Sequence, residues 1–256
     1  MQVPSFFRHV LVMMELELRR LRHDRMELYS RAIQPVLWIV VFAPIMSGIR
    51  AIPTGNIPYT DYIVPGVLIQ STTMIAIFFG LTLIFERESG ILKKLLVTPT
   101  SRYTIVIGRS LSAGVRALFQ ILIIVPFALL LGVSFVPNPL FFFLAVLIMF
   151  FASAGFAALS IFIASFLKAR ERFQAIGQAI TFPLFFASNS LYPISLMPPV
   201  LQEFSRFNPM TYIVDAVRGF LISGDLTNLP LDLLAISLFV GLMFFLASKS
   251  FNRIIQ

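Results

Sequence analysis

The sequence predicts an all-α membrane protein with six transmembrane helices in a single domain, 1–256. Of its 256 residues, 58% are hydrophobic and only 12% are charged, whereas soluble domains carry about a quarter charged residues. The charges are grouped, so that long uncharged stretches alternate with short basic ones. A helix of about 20 apolar residues crosses the ~30 Å hydrocarbon core of a bilayer, and several stretches reach that length.

Residues 1–30 are expected to form an amphipathic helix that lies along the membrane surface. Charged residues at i, i+4 spacing support it, as at Glu15 with Arg19 and Glu27 with Arg31. These charges also interrupt the apolar residues, so the segment is not a signal peptide. The predicted apolar stripe of this helix consists of Phe7, Val10 or Leu11, Met14, Leu18 and Leu21.

The predicted spans follow at 31–50, 62–85, 105–133, 139–167, 173–190 and 229–248. Pro137-Asn138-Pro139 divides the long uncharged stretch between the third and fourth spans into a hairpin. No acidic or basic side chain is expected in the middle of a span, which disfavours proton-driven carriers and intramembrane hydrolases. Close helix approach is predicted by small residues at helical spacing on the fourth span, namely Ser153, Ala157, Ser160 and Ala164.

Segment 191–228 is neither a clean span nor a simple loop. Its four prolines divide it into two short amphipathic helices, 198–206 and 210–222, which we interpret as a re-entrant or external pair. Pro230 suits the first turn of the sixth span. With six spans, both termini lie on the same side of the membrane, and 17 of the 20 basic residues fall on that side. The exceptions are Arg50, Arg206 and Arg218. The positive-inside rule therefore predicts cytoplasmic termini.

A charged island, 86–109, separates the second and third spans. Within it, Leu92, Leu95 and Leu96 have helical spacing, and Gly90 and Thr98-Pro99 mark the ends of a short segment. This pattern is compatible with a small amphipathic helix that offers a docking surface to a partner. The alternative is a solvated loop, which is the usual structure of a charge run.

Candidate chemistry is limited. There is no glycine-rich phosphate loop, so energy from ATP would have to come from another polypeptide. The chain has no cysteine and two histidines without ligand-like neighbours, so no metal site is expected. Two sets of polar residues fall within spans and either line a pathway or bond neighbouring helices. They are Gln70 and Thr73 on the second span, and Gln174, Gln178, Thr181 and Ser188 on the fifth.

Two motifs and one shorter pattern resemble a known family, the permease subunit of type-2 ATP-binding-cassette exporters. The first motif runs from Glu86-Arg87-Glu88 through Gly90, Leu92 and Leu95 to Thr98-Pro99. The second comprises Tyr192-Pro193-Ile194, Leu196-Met197-Pro198 and Phe207-Asn208-Pro209-Met210-Thr211-Tyr212, with Asp215 and Arg218. The pattern Arg31-Ala32-x-Gln34-Pro35-x-Leu37-Trp38 looks most like the branch of daunorubicin-resistance and nodulation-factor exporters.

The resemblance implies a permease without its own catalytic site, in a bacterial or archaeal inner membrane, paired with a second copy as a homodimer. Two cytoplasmic ATPase subunits would bind ATP and Mg. Residues 1–30 would be the connecting helix, and spans two and five would line the pathway. The ATPase-coupling residues would be Glu86, Glu88, Gly90, Leu92, Leu95, Leu96 and Pro99. The outer cap would contain Tyr192, Pro193, Asn208, Pro209, Tyr212, Asp215 and Arg218.

The function expected from this reading is ATP-driven export of an amphipathic or lipid-linked substrate, such as a drug, a lipid or a glycan. One alternative is a membrane-embedded enzyme of lipid chemistry. That class needs clustered acids or histidines, and Glu86 with Glu88 is the only close acidic pair in the island. The other alternative is a passive channel. A soluble ATPase that accompanies the chain would favour the exporter over both.

Overall fold

The computed structural model describes residues 3–23, 25–49, 52–55, 57–90, 101–167 and 169–251. These residues contain helices and no strand, which confirms the predicted all-α class. Short π-helical turns lie at Trp38–Phe42 and Gly219–Ser223. The α-helices are α1 Val3–His23, α2 Arg25–Leu37, α3 Ala43–Ile49, α4 Tyr59–Glu88, α5 Arg102–Leu130, α6 Pro139–Ala164, α7 Arg170–Phe186, α8 Pro199–Phe207, α9 Pro209–Arg218 and α10 Leu229–Ser250.

Five helical stretches of the described chain are long and apolar enough to cross a membrane. They are Tyr29–Ile49, Tyr59–Glu88, Tyr103–Leu130, Pro139–Ala164 and Leu229–Ser250. The predicted fifth span corresponds to α7, which has 17 residues and is therefore about 26 Å long, somewhat less than the ~30 Å hydrocarbon core. The six-span layout remains a prediction.

Two of the helix boundaries that differ from the predicted ones have a clear local cause. The second helix begins at Arg25, before the predicted span start at 31. A charge marks a membrane boundary without ending a helix, and no glycine or proline lies between Arg25 and Pro35. α7 ends at Phe186 instead of 190. There the Asn208 side-chain amide donates to the carbonyls of Leu184 at 2.7 Å and Ala187 at 2.9 Å, which satisfies the end of the helix.

The centre of the bundle is formed by α4, α5 and α6, which pack against one another. Around them, α1 lies along α5, α7 along α4, and α10 along α6. The apolar window of α4 is 78% buried, against 11% for that of α10. Polar residues on α4 are therefore inside the protein, whereas most of α10 faces outward.

Small residues bring α4 and α6 into close contact, as predicted. The Gly80 N–H donates to the Ser160 hydroxyl at 2.7 Å, and that hydroxyl donates to the Ile77 carbonyl at 2.5 Å. A Cβ at position 80 would lie 2.8 Å from the Ser160 carbonyl oxygen, so only glycine fits there. Ser153 makes a similar contact with α5, donating to the Ala113 carbonyl at 3.3 Å.

The loops are sorted between the two ends of the bundle as the charge count predicts. At one end the Ser134 N–H donates to Asp61 at 3.4 Å, and the Val136 N–H donates to the Leu221 carbonyl at 2.8 Å. At the other end Arg87 donates to the Leu167 carbonyl at 3.2 Å. The predicted outer and inner connections thus occupy opposite ends, and the assignment of the inner end to the cytoplasm remains a prediction.

Candidate functional site

A cavity of about 290 Å³ lies between α2, α4 and α7, and we call it the polar cavity. Aromatic side chains, Phe78 from α4 and Phe182 from α7, form part of its wall. Its polar lining comes from all three helices and consists of Ser30, Arg31, Gln34, Gln70, Ser71 and Gln178. The cavity therefore offers amide and hydroxyl groups beside aromatic surface, a combination that suits an amphipathic ligand.

Two of the predicted pathway residues meet in the polar cavity, since Gln70 reaches it from α4 and Gln178 from α7. Gln174 is exposed on α7, one turn before Gln178. Thr73, Thr181 and Ser188 are buried. The Thr181 hydroxyl donates to the Gly177 carbonyl at 2.7 Å, and the Ser188 hydroxyl to the Phe185 carbonyl at 2.8 Å, so both bond their own backbone. A pathway role for these four residues remains a prediction.

The contribution of α2 to the polar cavity was not predicted from the sequence. Ser30 and Gln34 are four residues apart and hence share one helix face, a signal that could have been recognised. Arg31 was predicted to pair with Glu27 and was recognised as part of the family pattern, but not as a cavity residue. In the structure its guanidinium carbon lies 5.5 Å from the centre of the Phe78 ring, within cation–π distance.

An apolar groove of about 580 Å³ adjoins the polar cavity and runs along α2 and α3. Ser30 and Gln34 line both spaces, so the surface passes continuously from polar to apolar. The rest of the groove is lined by hydrophobic residues, namely Ile33, Leu37, Trp38, Val41, Phe42 and Ile45. Several of these side chains are more than two-fifths exposed, and an apolar surface of this kind is typical of contact with lipid, a ligand or another chain.

Arg218 lies at the centre of the predicted outer cap. It is buried, donates to the Asn189 carbonyl at 2.6 Å, and lies 3.8 Å from the centre of the Tyr62 ring. Burial lowers the pKa of Arg218 below its usual value, although the neighbouring Tyr62 and Asp215 partly oppose this shift. A guanidinium nitrogen of Arg218 also lies 3.9 Å from a carboxylate oxygen of Asp215, within ion-pair distance. Arg218 thus connects α9, the start of α4 and the turn after α7.

Other residues predicted for the outer cap form hydrogen bonds at helix ends. Asn208 caps α9 by accepting from the Met210 N–H at 3.0 Å, and Pro209 occupies the first turn, where its missing N–H is not needed. The Tyr192 hydroxyl donates to the Phe186 carbonyl at 2.7 Å, and the Tyr212 hydroxyl to the Arg206 carbonyl at 2.5 Å. Pro193, which directly follows Tyr192, is half-buried. Residues of the second sequence motif therefore bond free backbone groups at helix ends.

The island that would couple to an ATPase is described only at its edges. Glu86 forms an ion pair with Arg109, and Glu88 accepts from the Arg170 guanidinium at 2.7 Å. Gly90 has φ +74°, a left-handed conformation typical of the residue after a helix. Leu92, Leu95, Leu96 and Pro99 lie outside the described residues. The carboxylates thus tie α4 to α5 and α7, and their part in coupling remains a prediction.

The expectation that no charge falls in the middle of a span is wrong for Arg116. This residue lies halfway along α5, is buried, and forms an ion pair with Glu17 of α1. Its guanidinium also lies 5.3 Å from the centre of the Phe79 ring. The burial of both charges is tolerated because each neutralises the other. A sequence signal for this pair was the position of Glu17. It lies one helical turn before the apolar Leu21 and therefore shares a face of α1 with it.

Among the described residues, no group of three or more acidic, histidine or cysteine side chains could hold a metal ion. Together the helices and the polar cavity define a multi-pass helical membrane protein with a space for a ligand between its helices. The chain belongs to the ABC-2 type transporter family, whose pattern matches residues 8–222. It is therefore a transmembrane transport subunit, of a family that works with an ATPase partner.

Individual relatives agree with this assignment. A putative transport permease, ycf38, of Cyanophora paradoxa is 30% identical over 225 residues, which cover 84% of this chain and 76% of that protein. A probable doxorubicin resistance ABC transporter permease, DrrC, of Mycobacterium tuberculosis is 25% identical over 82% of this chain and 76% of its own length. Nodulation protein J of Rhizobium leguminosarum bv. trifolii is 22% identical over 80% of this chain and 78% of its own. These relatives support the daunorubicin- and nodulation-like branch.

Proposed function

We propose that this chain is the membrane subunit of an ATP-driven exporter that moves an amphipathic or lipid-linked molecule out of the cytoplasm. The observation that carries the proposal is the polar cavity, where Gln70 of the central helix α4 and Gln178 of α7 face one space beside aromatic walls. Amides inside a membrane protein are retained where they bond a neighbour or a passing solute. Here the space between them is large enough for a solute group.

A separate ATPase would supply the energy, binding ATP with Mg, because this sequence lacks a phosphate-binding loop. Its docking surface would be the island after α4. The ion pairs of Glu86 with Arg109 and Glu88 with Arg170 fix the base of that island to the starts of α5 and α7. Movement of the island would therefore be passed directly to two helices, one of which lines the polar cavity.

A second copy of the chain would complete the transporter, with two permeases and two ATPases. The support for this is the exposed amide of Gln174 on α7, one turn before Gln178, which lines the polar cavity. Amides that face lipid leave hydrogen-bonding groups unsatisfied, at several kcal/mol each. A second copy packed against α7 would satisfy them. We place the complex in a bacterial or archaeal inner membrane with cytoplasmic termini.

The test is co-expression of the tagged chain with candidate soluble ATP-binding-cassette ATPases of the same organism, followed by co-purification and reconstitution into liposomes. We expect the ATPase to be retained, its hydrolysis to be stimulated by the permease, and amphiphile transport to require ATP. Flux that is equal with and without ATP would instead support a passive channel. Chemical conversion of the amphiphile by the chain alone would support the lipid enzyme.

A further inference from the structure

A second, smaller cavity of about 80 Å³ lies between α9, the π-helical turn that follows it and the start of α10, and we call it the acidic cavity. It is at the predicted outer end of the bundle, where the Val136 N–H donates to the Leu221 carbonyl. Three carboxylates line it, those of Asp215, Asp225 and Asp232. The other polar residues of its lining are Arg218, Ser223 and Asn228.

Asp232 is the residue that points to a ligand. Its side chain is buried, with only 3% of the residue exposed, and it lines the acidic cavity. Among the described residues its carboxylate has no hydrogen-bond or ion-pair partner, and the charge of Asp215 repels it. Burying a carboxylate without a partner costs free energy. A cation in the acidic cavity would remove both the missing contact and the repulsion.

The position of Asp232 in the first turn of α10 offers a simpler explanation. A negative charge there interacts favourably with the positive end of the helix dipole. That interaction needs no burial, and an exposed carboxylate would provide it. It also leaves unexplained why two further carboxylates line the same small space. The helix dipole therefore accounts for an acid at this position but not for the acidic cavity.

We propose that the acidic cavity binds a primary ammonium group, carried by a small soluble amine or by a lipid head group. The ammonium lies between the carboxylate of Asp232 and those of Asp215 and Asp225. This site is separate from the polar cavity and does not depend on the proposed export function.

The charges around the acidic cavity favour a cation. Three carboxylates face one guanidinium, that of Arg218. The donors of this guanidinium serve the carbonyls of Asn189 at 2.6 Å and Tyr62 at 3.3 Å. Hydrogen bonds from the Thr227 hydroxyl and N–H lower the pKa of Asp225, so this carboxylate stays ionised. Negative charge therefore exceeds positive charge in the acidic cavity.

The arrangement of the oxygens favours an ammonium over a metal ion. Calcium needs six or more oxygens that converge on one point at about 2.3–2.6 Å. Among the described residues, no three acidic, histidine or cysteine side chains are placed to hold a metal ion. A primary ammonium has three N–H donors that diverge from one nitrogen, so it bonds acceptors on different walls of a cavity. A space of 80 Å³ holds an ammonium with a short carbon stem, since a water molecule occupies ~30 Å³.

The depth of the acidic cavity allows both sources of the ammonium. Asp232 is the fourth residue of the candidate span Leu229–Ser250, so it lies where a span meets the bilayer interface. Asp225, on the preceding loop, is exposed. A lipid head group reaches the cavity from the interface, and a soluble amine reaches it from the side of the loop. The experiment below distinguishes them.

The test is saturation-transfer NMR on the full chain, purified in an uncharged detergent and titrated with ethylammonium at constant ionic strength. A matched titration uses tetramethylammonium, which has the same charge and no N–H donor. We expect saturable binding of ethylammonium, and about tenfold weaker binding of tetramethylammonium, because the charge-assisted hydrogen bonds are lost.

Three variants test the carboxylates. Asp232→Asn keeps the shape of the side chain and should weaken ethylammonium binding at least about tenfold. Asp225→Asn changes an exposed loop residue, so it tests the site without disturbing the bundle, and it should weaken binding about threefold. The control, Glu203→Gln, removes the same charge from an exposed position on α8 and should leave the affinity unchanged.

The two sources are separated in nanodiscs of phosphatidylcholine, whose quaternary ammonium has no N–H. Phosphatidylethanolamine, which carries a primary ammonium, should displace ethylammonium if a lipid head group is the natural ligand. Undiminished ethylammonium binding in its presence would assign the site to a soluble amine. Both results support an ammonium site.

Three results would overturn the inference. The first is equal binding of ethylammonium and tetramethylammonium, and the second is unchanged affinity in both Asp232→Asn and Asp225→Asn. The third is displacement of ethylammonium by calcium at a lower concentration than its own dissociation constant, which would identify a metal site. None of them affects the export function, which is tested by ATPase co-purification and ATP-dependent transport.

Discussion

Glu17 of the N-terminal helix forms a buried ion pair with Arg116, halfway along α5. Both side chains are more than nine-tenths buried. The pair therefore fixes α1 to α5, one of the three central helices and the one that follows the charged island. α1 and α5 are thus positioned to move together.

The first prediction concerns the strength of this pair. Glu17→Gln removes the negative charge beside a buried guanidinium, and we expect the free energy of unfolding to fall by about 3–5 kcal/mol. The measurement is the apparent melting temperature of the purified chain in detergent. Glu15→Gln is the control, because it breaks the exposed pair with Arg19 and should cost less than about 1 kcal/mol. Equal shifts in the two variants would show that the Glu17–Arg116 pair does not hold α1.

The second prediction concerns Asn208, which caps α9 and also binds two carbonyls at the end of α7. Asn208→Ala should lower the free energy of unfolding by about 2–3 kcal/mol through the lost cap and the lost hydrogen bonds. Asn138→Ala is a matched control, since Asn138 accepts only from the Leu140 N–H and should cost about 1 kcal/mol. Thermal unfolding in detergent compares them. A larger loss for Asn138→Ala would exclude the double role.

The third prediction concerns orientation. The chain has no cysteine, so a single introduced thiol reports its own location. Glu203→Cys, at an exposed position on α8, should react in intact cells with a maleimide that does not cross membranes. Ser89→Cys, at the end of α4, should react only after permeabilisation. The reverse pattern would invert the predicted topology.

Much of the fold is predictable from the sequence because helix length and helix ends depend on local features. Uncharged stretches predict the long helices, and Asn208 followed by Pro209 predicts the start of α9. The polar cavity and the Glu17–Arg116 pair depend instead on which helices meet. Arg31 and Arg116 have the same local appearance, a basic residue beside an apolar stretch. Only the packing of α2 on α4, and of α1 on α5, distinguishes a cavity residue from half of a buried ion pair.

The fourth prediction concerns the island, where Leu95 lies outside the described residues. If its leucines dock in a groove of the ATPase, Leu95→Asp should detach the ATPase, because a buried leucine contributes about 1.5–3 kcal/mol and a buried charge opposes docking. Glu88→Gln should have the smaller effect, since Glu88 is partly exposed and paired with Arg170 within this chain. Co-purification at matched membrane expression measures both. Normal ATPase retention in Leu95→Asp would remove the island from the coupling mechanism.

The central claim is that the polar cavity is part of the export pathway, and the most direct test is transport by two glutamine variants of one helix. Gln178 lines the cavity, whereas Gln174 is exposed one turn earlier on α7. In liposomes containing the permease and its ATPase, Gln178→Leu should lower ATP-dependent export about tenfold, which corresponds to about 1.4 kcal/mol. Gln174→Leu should keep at least about half of the wild-type rate, and both should assemble normally. Equal export by Gln178→Leu and the wild-type protein would contradict the claim.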